Sequence, residues 1–207
     1  MISLSLGAGF GPGPGGRPEP GAPGLTAVPR LSGPGLIGMP LQLDPGLWQG
    51  EPAPLLALQW QRDGTDIPGA TDPTYLPGPS DDGAWLRARV TAANTHGAVT
   101  VHSTEIRVTY AAPTSAGGLP DRSYPLNSGN HIVNAFPDFT GDGLTFRVIG
   151  EGVSIDPATG EISISTEALR DGIEIVVTAG NSGGEASSRF RLTVAAEPAA
   201  SPPSLVT

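Results

Sequence analysis

The 207-residue chain has no cysteine and no lysine, and each absence removes a class of chemistry. Without thiols there is no disulfide, no thiolate metal site and no cysteine nucleophile, so any core must hold by packing alone, in whatever redox compartment. All eleven basic residues are arginines; they face twenty carboxylates, for a net charge of −9. No basic face is available to neutralise phosphates, which argues against a nucleic-acid partner. No apolar run approaches the length of a membrane-spanning helix, so no membrane insertion is expected. Met1-Ile-Ser-Leu-Ser-Leu-Gly7 also lacks the positive start and the apolar length of a secretory signal. The expectation is a soluble chain that does not use the general secretory route.

What the chain has in excess is glycine (30) and proline (23), and their distribution matters more than their total. Thirteen of the eighteen residues from Gly7 to Gly24 are Gly or Pro, whereas later ones come one to three at a time, at turn positions. Ahead of this tract Ile2, Leu4 and Leu6 alternate with small residues, a strand-like pattern too short to be stable alone. Residues 1–24 are therefore expected to form an extended anchoring arm, beside the simpler reading of a frayed terminus. At the other end, the Ala/Pro/Ser-rich residues 196–207 have nothing to bury and are expected to be a flexible tail.

Between them the apolar period is two. Strands are expected at Leu36–Leu43, Leu55–Gln61, Thr74–Leu76, Trp85–Ala92 and Val99–Val108, each bounded by Gly, Pro, Asp or Asn. On the Trp85 strand Leu86, Ala88, Val90 and Ala92 share one face and Arg87 and Arg89 the other, the pattern of a sheet buried on one side. Arg62-Asp63-Gly64-Thr65 supplies a hairpin turn, with Gly64 free to take positive φ. After a linker at 112–118, strands are expected at about His131–Ala135, Leu144–Ile149, Val153–Ile155, Glu161–Ser165, Ile173–Ala179 and Ser187–Val194. Asp156-Pro-Ala-Thr-Gly160 is a turn in which Pro157 presets φ and Gly160 takes the left-handed position.

The two halves repeat. Val90-Thr-Ala-Ala-Asn94-Thr-His-Gly97 matches Val177-Thr-Ala-Gly-Asn181-Ser-Gly-Gly184, an offset of 87 residues, and each is followed by an alternating last strand. A recurring penultimate strand, Asn/Gly hairpin and final strand marks two tandem all-β sandwiches, at 25–111 and 119–195.

These residues carry a resemblance. Gly38-Met-Pro40, Pro45-Gly-Leu-Trp48, Gln59-Trp60-Gln-Arg-Asp-Gly64, Ile67-Pro-Gly-Ala-Thr71 and Asp81-Asp-Gly83 resemble, in order and spacing, the cysteine-free immunoglobulin-like modules of bacteria and phages. The likeness runs from about Pro34 to Val108 and departs at Trp85, where a small polar residue is commoner. Ile155-Asp-Pro-Ala-Thr-Gly-Glu-Ile162 and Val177-Thr-Ala-Gly-Asn-Ser-Gly-Gly184 are similar to cadherin-like and related Ig-type modules. The resemblance implies Trp60 packed between sheets, with apolar Val90, and Val177 in the second module, where a disulfide cysteine would stand.

Catalysis requires a converging constellation, and the sequence offers none. His96, His102 and His131 have no carboxylate or cysteine at ligand spacing, although His96 and His102 have the chance to approach across a hairpin. There is no Gly-x-Ser-x-Gly elbow, and the Gly-rich tract lacks the Lys and helix of a phosphate loop. No enzyme activity and no cofactor are expected. Asp138-Phe-Thr-Gly-Asp142 resembles the acidic loop of cadherin-like modules, which makes Asp138 and Asp142 a weak calcium candidate beside the simpler reading of a solvated turn. Trp48, Tyr75 and Trp85 are weak candidates for stacking on a sugar, beside structural roles at the sandwich end and in the core.

The resemblance implies a display or adhesion protein. The expected form is a virion component of a tailed phage (capsid decoration, head fibre or tail appendage), anchored to other virion proteins through Ile2, Leu4 and Leu6. Its two modules would meet a host surface glycan or protein or stabilise the particle, and a homo-oligomer is compatible with either role. The alternative is a bacterial extracellular adhesin or surface-assembly subunit.

Overall fold

The computed structural model describes residues 21–197, and these form two compact units of β-strand. The first holds 21–35, 39–76 and 84–107; the second holds 36–38, 77–83 and 108–197. Among the described residues the only helical elements are two three-residue 3₁₀ turns, at Pro79–Asp81 and Phe136–Asp138.

The strands of the first unit are β1 (Gly21–Ala27), β2 (Arg30–Ser32), β3 (Leu41–Asp44), β4 (Leu47–Glu51), β5 (Leu55–Arg62), β6 (Thr65–Asp66), β7 (Thr74–Tyr75), β8 (Trp85–Asn94), β9 (Gly97–His102) and β10 (Ile106–Arg107). β8 is central to the largest sheet: β5 lies along one edge, β9 and β10 share the other, and β6 extends β5. A second sheet runs β2-β3-β7, and β1 pairs with β4.

The two larger sheets meet at Trp60. Its ring stacks on Tyr75 of the opposite sheet with centroids 5.3 Å apart. Its indole N–H donates to the Asp72 carbonyl at 2.8 Å, so the one polar atom of a fully buried side chain is satisfied. Trp60 lies in register with Ala88, and the buried face of β8 alternates Leu86, Ala88, Val90 and Ala92 as the sequence pattern requires. Three alanines (84, 88 and 92) leave room for one large ring, and Leu41 and Leu43 of β3 complete the core. The expected hairpin is present: Arg62 pairs with Thr65, and Asp63 and Gly64 both adopt positive φ, 48° and 82°.

Four expectations for this region need correction. Gly21–Gly24, assigned by composition to the arm, form the start of β1; an edge strand tolerates the missing amide of Pro23. The rest of the expected arm, with Ile2, Leu4 and Leu6, lies outside the described residues. Leu36–Leu43 is not one strand, because Gly38 turns the chain at φ 76° and β3 begins at Leu41. The Pro45-Gly-Leu-Trp48 stretch, to which no strand was assigned, holds the start of β4 at Leu47. Val99–Val108 is broken after His102, where the Ser103 hydroxyl accepts the Ala88 amide in place of a backbone carbonyl.

The second unit contains β11 (Thr114–Ser115), β12 (Arg122–Pro125), β13 (His131–Asn134), β14 (Phe139–Thr140), β15 (Thr145–Ile149), β16 (Val153–Ile155), β17 (Glu161–Ile164), β18 (Arg170–Asn181) and β19 (Gly184–Ala195). One sheet is ordered β12-β19-β18-β15, with β12 parallel to β19, and the other β13-β17-β16. Their facing sides supply the core: Ile175, Val177 and Ala179 of β18, Phe190, Leu192 and Val194 of β19, Ile162 and Ile164 of β17, and Val133 of β13. Each aliphatic or Phe side chain so buried contributes about 1.5–3 kcal/mol. β11 occupies part of the expected linker and pairs with β14, and β12 was not anticipated at all.

Candidate functional site

The repeated asparagine marks a repeated piece of construction. Asn94 ends β8, its Oδ1 accepts the His96 amide at 2.9 Å, and its Nδ2 donates to the carbonyls of Gly21 (2.8 Å) and Pro52 (2.9 Å). Asn181 ends β18 in the same way: Oδ1 accepts the Gly183 amide at 2.9 Å, and Nδ2 donates to Ala111 (2.8 Å) and Asp142 (2.9 Å). In each unit one amide side chain closes the hairpin turn and staples two further backbone segments to it. Three of its hydrogen-bonding positions are used at once, which no other side chain of that size supplies. Gly97 and Gly184 follow at φ 148° and 152°, where a side chain is disfavoured.

Beside Asn94 lies a shallow apolar pocket of about 400 Å³, lined by Pro52, Ala53, Leu55, Ala93, Asn94 and Thr95. Leu55 is 82% exposed, and Leu56 and Ala57 are exposed with it. The sequence led to the expectation of a strand over Leu55–Gln61 and did not say which of its faces is covered; the first three residues of β5 present apolar surface to solvent. This is the site that reading the sequence missed, because a run of Leu and Ala looks the same whether or not a neighbour covers it.

The outer face of the large sheet carries a polar network. Arg87 Nε donates to Gln61 Oε1 at 2.8 Å, Gln61 Nε2 to Asp66 Oδ1 at 2.7 Å, and Arg89 Nη2 to Asp66 Oδ2 at 2.7 Å. Arg87 also reaches Glu105 at 3.2 Å. Close by, burial first and then the charges of Arg87 and Arg89 lower the basicity of His102. His96 sits in the hairpin turn, whereas His102 pairs with Arg89 at the far end of β9, so the two histidines do not approach each other. His131 stacks on Tyr124 at 3.9 Å, and its Nε2 lies 3.0 Å from the Ser128 hydroxyl.

The two acidic candidates serve different ends. Asp138 accepts from the Ser115 hydroxyl and the Gly118 amide, both at 2.9 Å. Burial pushes its carboxyl up, but the hydroxyls of Ser188 and Ser115 and the amides of Gly118 and Gly117 prevail and hold it below the ordinary carboxylate value. Asp142 is exposed and contributes its backbone carbonyl to Asn181. Among the described residues no three His, Cys, Asp or Glu side chains group to hold a metal.

The three aromatic candidates fall on three different sheets. Trp48 on β4 is half-buried and donates to the Pro45 carbonyl at 3.0 Å, while Tyr75 is committed to Trp60. Trp85 is 50% exposed, and its backbone is held from both sides by Asp63. Trp85 alone of the three offers a largely open ring. The core markers Trp60, Val90 and Val177 are all fully buried.

No family model matches this chain, and no curated protein matches it. Among solved structures it is similar to the titin domains Z1Z2 in complex with telethonin, at 22% identity over 86% of this chain and 99% of that one, with a TM-score of 0.37. It is similar to the titin fragment A168169 at 16% identity, over 84% and 99%, with a TM-score of 0.38. The extracellular domains 3–5 of Drosophila OTK align at 16% identity, over 80% and 61%, with a TM-score of 0.34. The assignment of two immunoglobulin-like sandwiches rests on strand order and the two-sheet cores. No helix among the described residues is long and apolar enough to cross a membrane.

Proposed function

We propose that this chain is a non-enzymatic adhesion or assembly protein that displays two immunoglobulin-like sandwiches at a surface outside the cell. The observation that carries the reading is the twice-used asparagine staple. The fold invests its polar precision in fixing a hairpin and its neighbouring segments, and in no reactive centre. What remains exposed on the first unit is contact surface: the Leu55–Ala57 edge and Trp85. Partners on this reading are a host or neighbouring-cell glycan or protein, met through these surfaces.

Within that reading, residues 1–20 favour a component of a phage particle, since an apolar tip joined by a Gly/Pro tract to β1 suits attachment to a capsid or tail protein. Localisation separates the two forms. Immunolabelling and density-gradient fractionation of producing cells should recover the chain either with the cell envelope or with particles. In the particle case, removal of residues 1–20 should abolish incorporation while both units keep their strand content by circular dichroism. Recovery solely in the cytosolic fraction would overturn the display reading, and retained incorporation would remove the anchoring role of residues 1–20.

A further inference from the structure

We propose that two copies of this chain pair through the open edge of β5, antiparallel and about a two-fold axis at Ala57. The edge is defined by hydrogen-bond direction. The Trp60 amide donates to the Ala70 carbonyl, and the Trp60 carbonyl accepts from the Ile67 amide, so both point away from β8. Alternation along a strand then aims the amides and carbonyls of Leu58 and Leu56 the same way. Among the described residues no strand pairs with that side of β5 between Leu55 and Gln59. The stretch, Leu-Leu-Ala-Leu-Gln, also carries none of the charges, prolines or bulges that keep exposed edges from pairing.

The limits of the open stretch select its occupant. Pro54 closes one end, having no amide to donate, and at the other end the outward groups of Trp60 are already taken by Ala70 and Ile67. Ala57 lies midway between Pro54 and Trp60. In an antiparallel pair centred there, Leu56 of each copy faces Leu58 of the other as a hydrogen-bonded pair that exchanges both bonds. No outward amide or carbonyl of Leu56 or Leu58 is then left over. A shift of the second copy along the strand in either direction brings Pro54 or Trp60 into the ladder and breaks it. An edge whose two ends are closed symmetrically about its own midpoint is complementary to itself, which is the requirement of a two-fold dimer.

The side chains fit the same register. Ala57 meets its own copy in a non-hydrogen-bonded pair, where Cα atoms stand only about 4.5 Å apart and a methyl group is readily accommodated. Leu56 lies in register with Ala92 and Leu58 with Val90, both fully buried, so the two leucines stand on the core side of the sheet. Leu56 is nevertheless 40% exposed, and pairing sets it against Leu58 of the second copy. On the outer face Leu55, 82% exposed, comes to lie opposite Gln59 of the second copy. So short a strand supplies less than the roughly 1,200 Å² that a stable interface buries, and the dimer is therefore a weak one that forms as concentration rises.

The inference stands independently of which surface displays the chain, and it does not involve Trp85, at the other end of β8. Sedimentation velocity on the full chain from about 10 µM to about 500 µM should show monomer giving way to dimer. Over the same range the Leu56 and Leu58 amides should become several-fold slower to exchange. Ala57→Lys and Ala57→Glu each put like charges at the axis, on a side chain exposed in the single copy, and each should weaken the dimer by about tenfold or more. Mixed in equal amounts the two variants should restore it, since a two-fold at residue 57 sets the lysine of one against the glutamate of the other. A full chain that stays monomeric at the highest concentration overturns the proposal, as does a dimer in which the Leu56 and Leu58 amides exchange no slower. A dimer that both variants retain overturns it as well, and a mixture that stays monomeric overturns the two-fold register at Ala57.

Discussion

The two units solve one problem with different cores. The first concentrates its apolar volume in Trp60, flanked by alanines, whereas the second spreads it over Phe139, Phe146, Phe190 and a layer of Ile, Leu and Val. A core built round one ring has little redundancy; a distributed one relaxes more easily around a single loss. The difference also explains why the first unit carries so clear a sequence signal and the second so diffuse a one.

The largest expected effect breaks this comparison if it fails. Trp60→Ala should cost about 3–5 kcal/mol through the cavity it leaves and the lost contact with Tyr75. All three tryptophans lie in the first unit, so fluorescence of Trp48 and Trp85 during urea unfolding reports that unit selectively. An unchanged midpoint would mean that the ring is not the centre of the core. In the second unit Ile162→Val should cost only about 0.5–1.5 kcal/mol, measured by chemical denaturation followed by far-ultraviolet circular dichroism.

The asparagine staples come next, and here the units should behave alike. Asn94→Ala and Asn181→Ala each remove two donated bonds and one turn-capping acceptor. Each should destabilise its own unit by about 1–3 kcal/mol, as expected when backbone carbonyls lose their partners. Similar shifts in the two midpoints would sharpen the equivalence, and a cost confined to one unit would break it.

That equivalence was legible in the sequence from the 87-residue echo alone, but its mechanism was not. The echo named the residues; it said nothing of Gly21, Pro52, Ala111 or Asp142, which come to the staple from distant parts of the chain. The alternation of β8 and the Asp63-Gly64 turn were readable because strand period and turn chemistry are local. β1 was hidden by a Gly/Pro composition that normally marks irregular chain, although an edge strand needs only half its amides. β12 was hidden because Arg122-Ser-Tyr-Pro125 has no apolar alternation of its own and becomes a strand only by pairing with β19. The exposure of Leu55 and Leu56 was unreadable for the opposite reason: nothing local distinguishes a covered edge from an open one.

The smallest expected effect is one of pH, and it concerns the second unit. Asp138 is held below its ordinary value of 3.8, with the neighbouring Ser188 hydroxyl and the hydrogen bonds donated by the Gly118 amide and the Ser115 hydroxyl outweighing burial, and Asp156 is held down by the amides of Ala158 and Thr159. A carboxyl whose folded pKa is depressed stabilises the fold above its unfolded pKa and loses that contribution as pH falls through the folded value. The second unit should therefore be less stable at about pH 3 than at about pH 5, the loss setting in as pH falls below the ordinary value of 3.8. Asp138→Asn removes one titrating group while keeping an acceptor oxygen, so it should flatten that dependence and leave the tryptophan-reported transition of the first unit unmoved. Thermal midpoints followed at both pH values decide it. An unchanged slope in the variant would show that Asp138 does not couple proton binding to the fold of its unit, and the segment that follows β11 would then be held to the Phe136–Asp138 turn by the bond from the Ala116 amide to the Asp138 carbonyl instead.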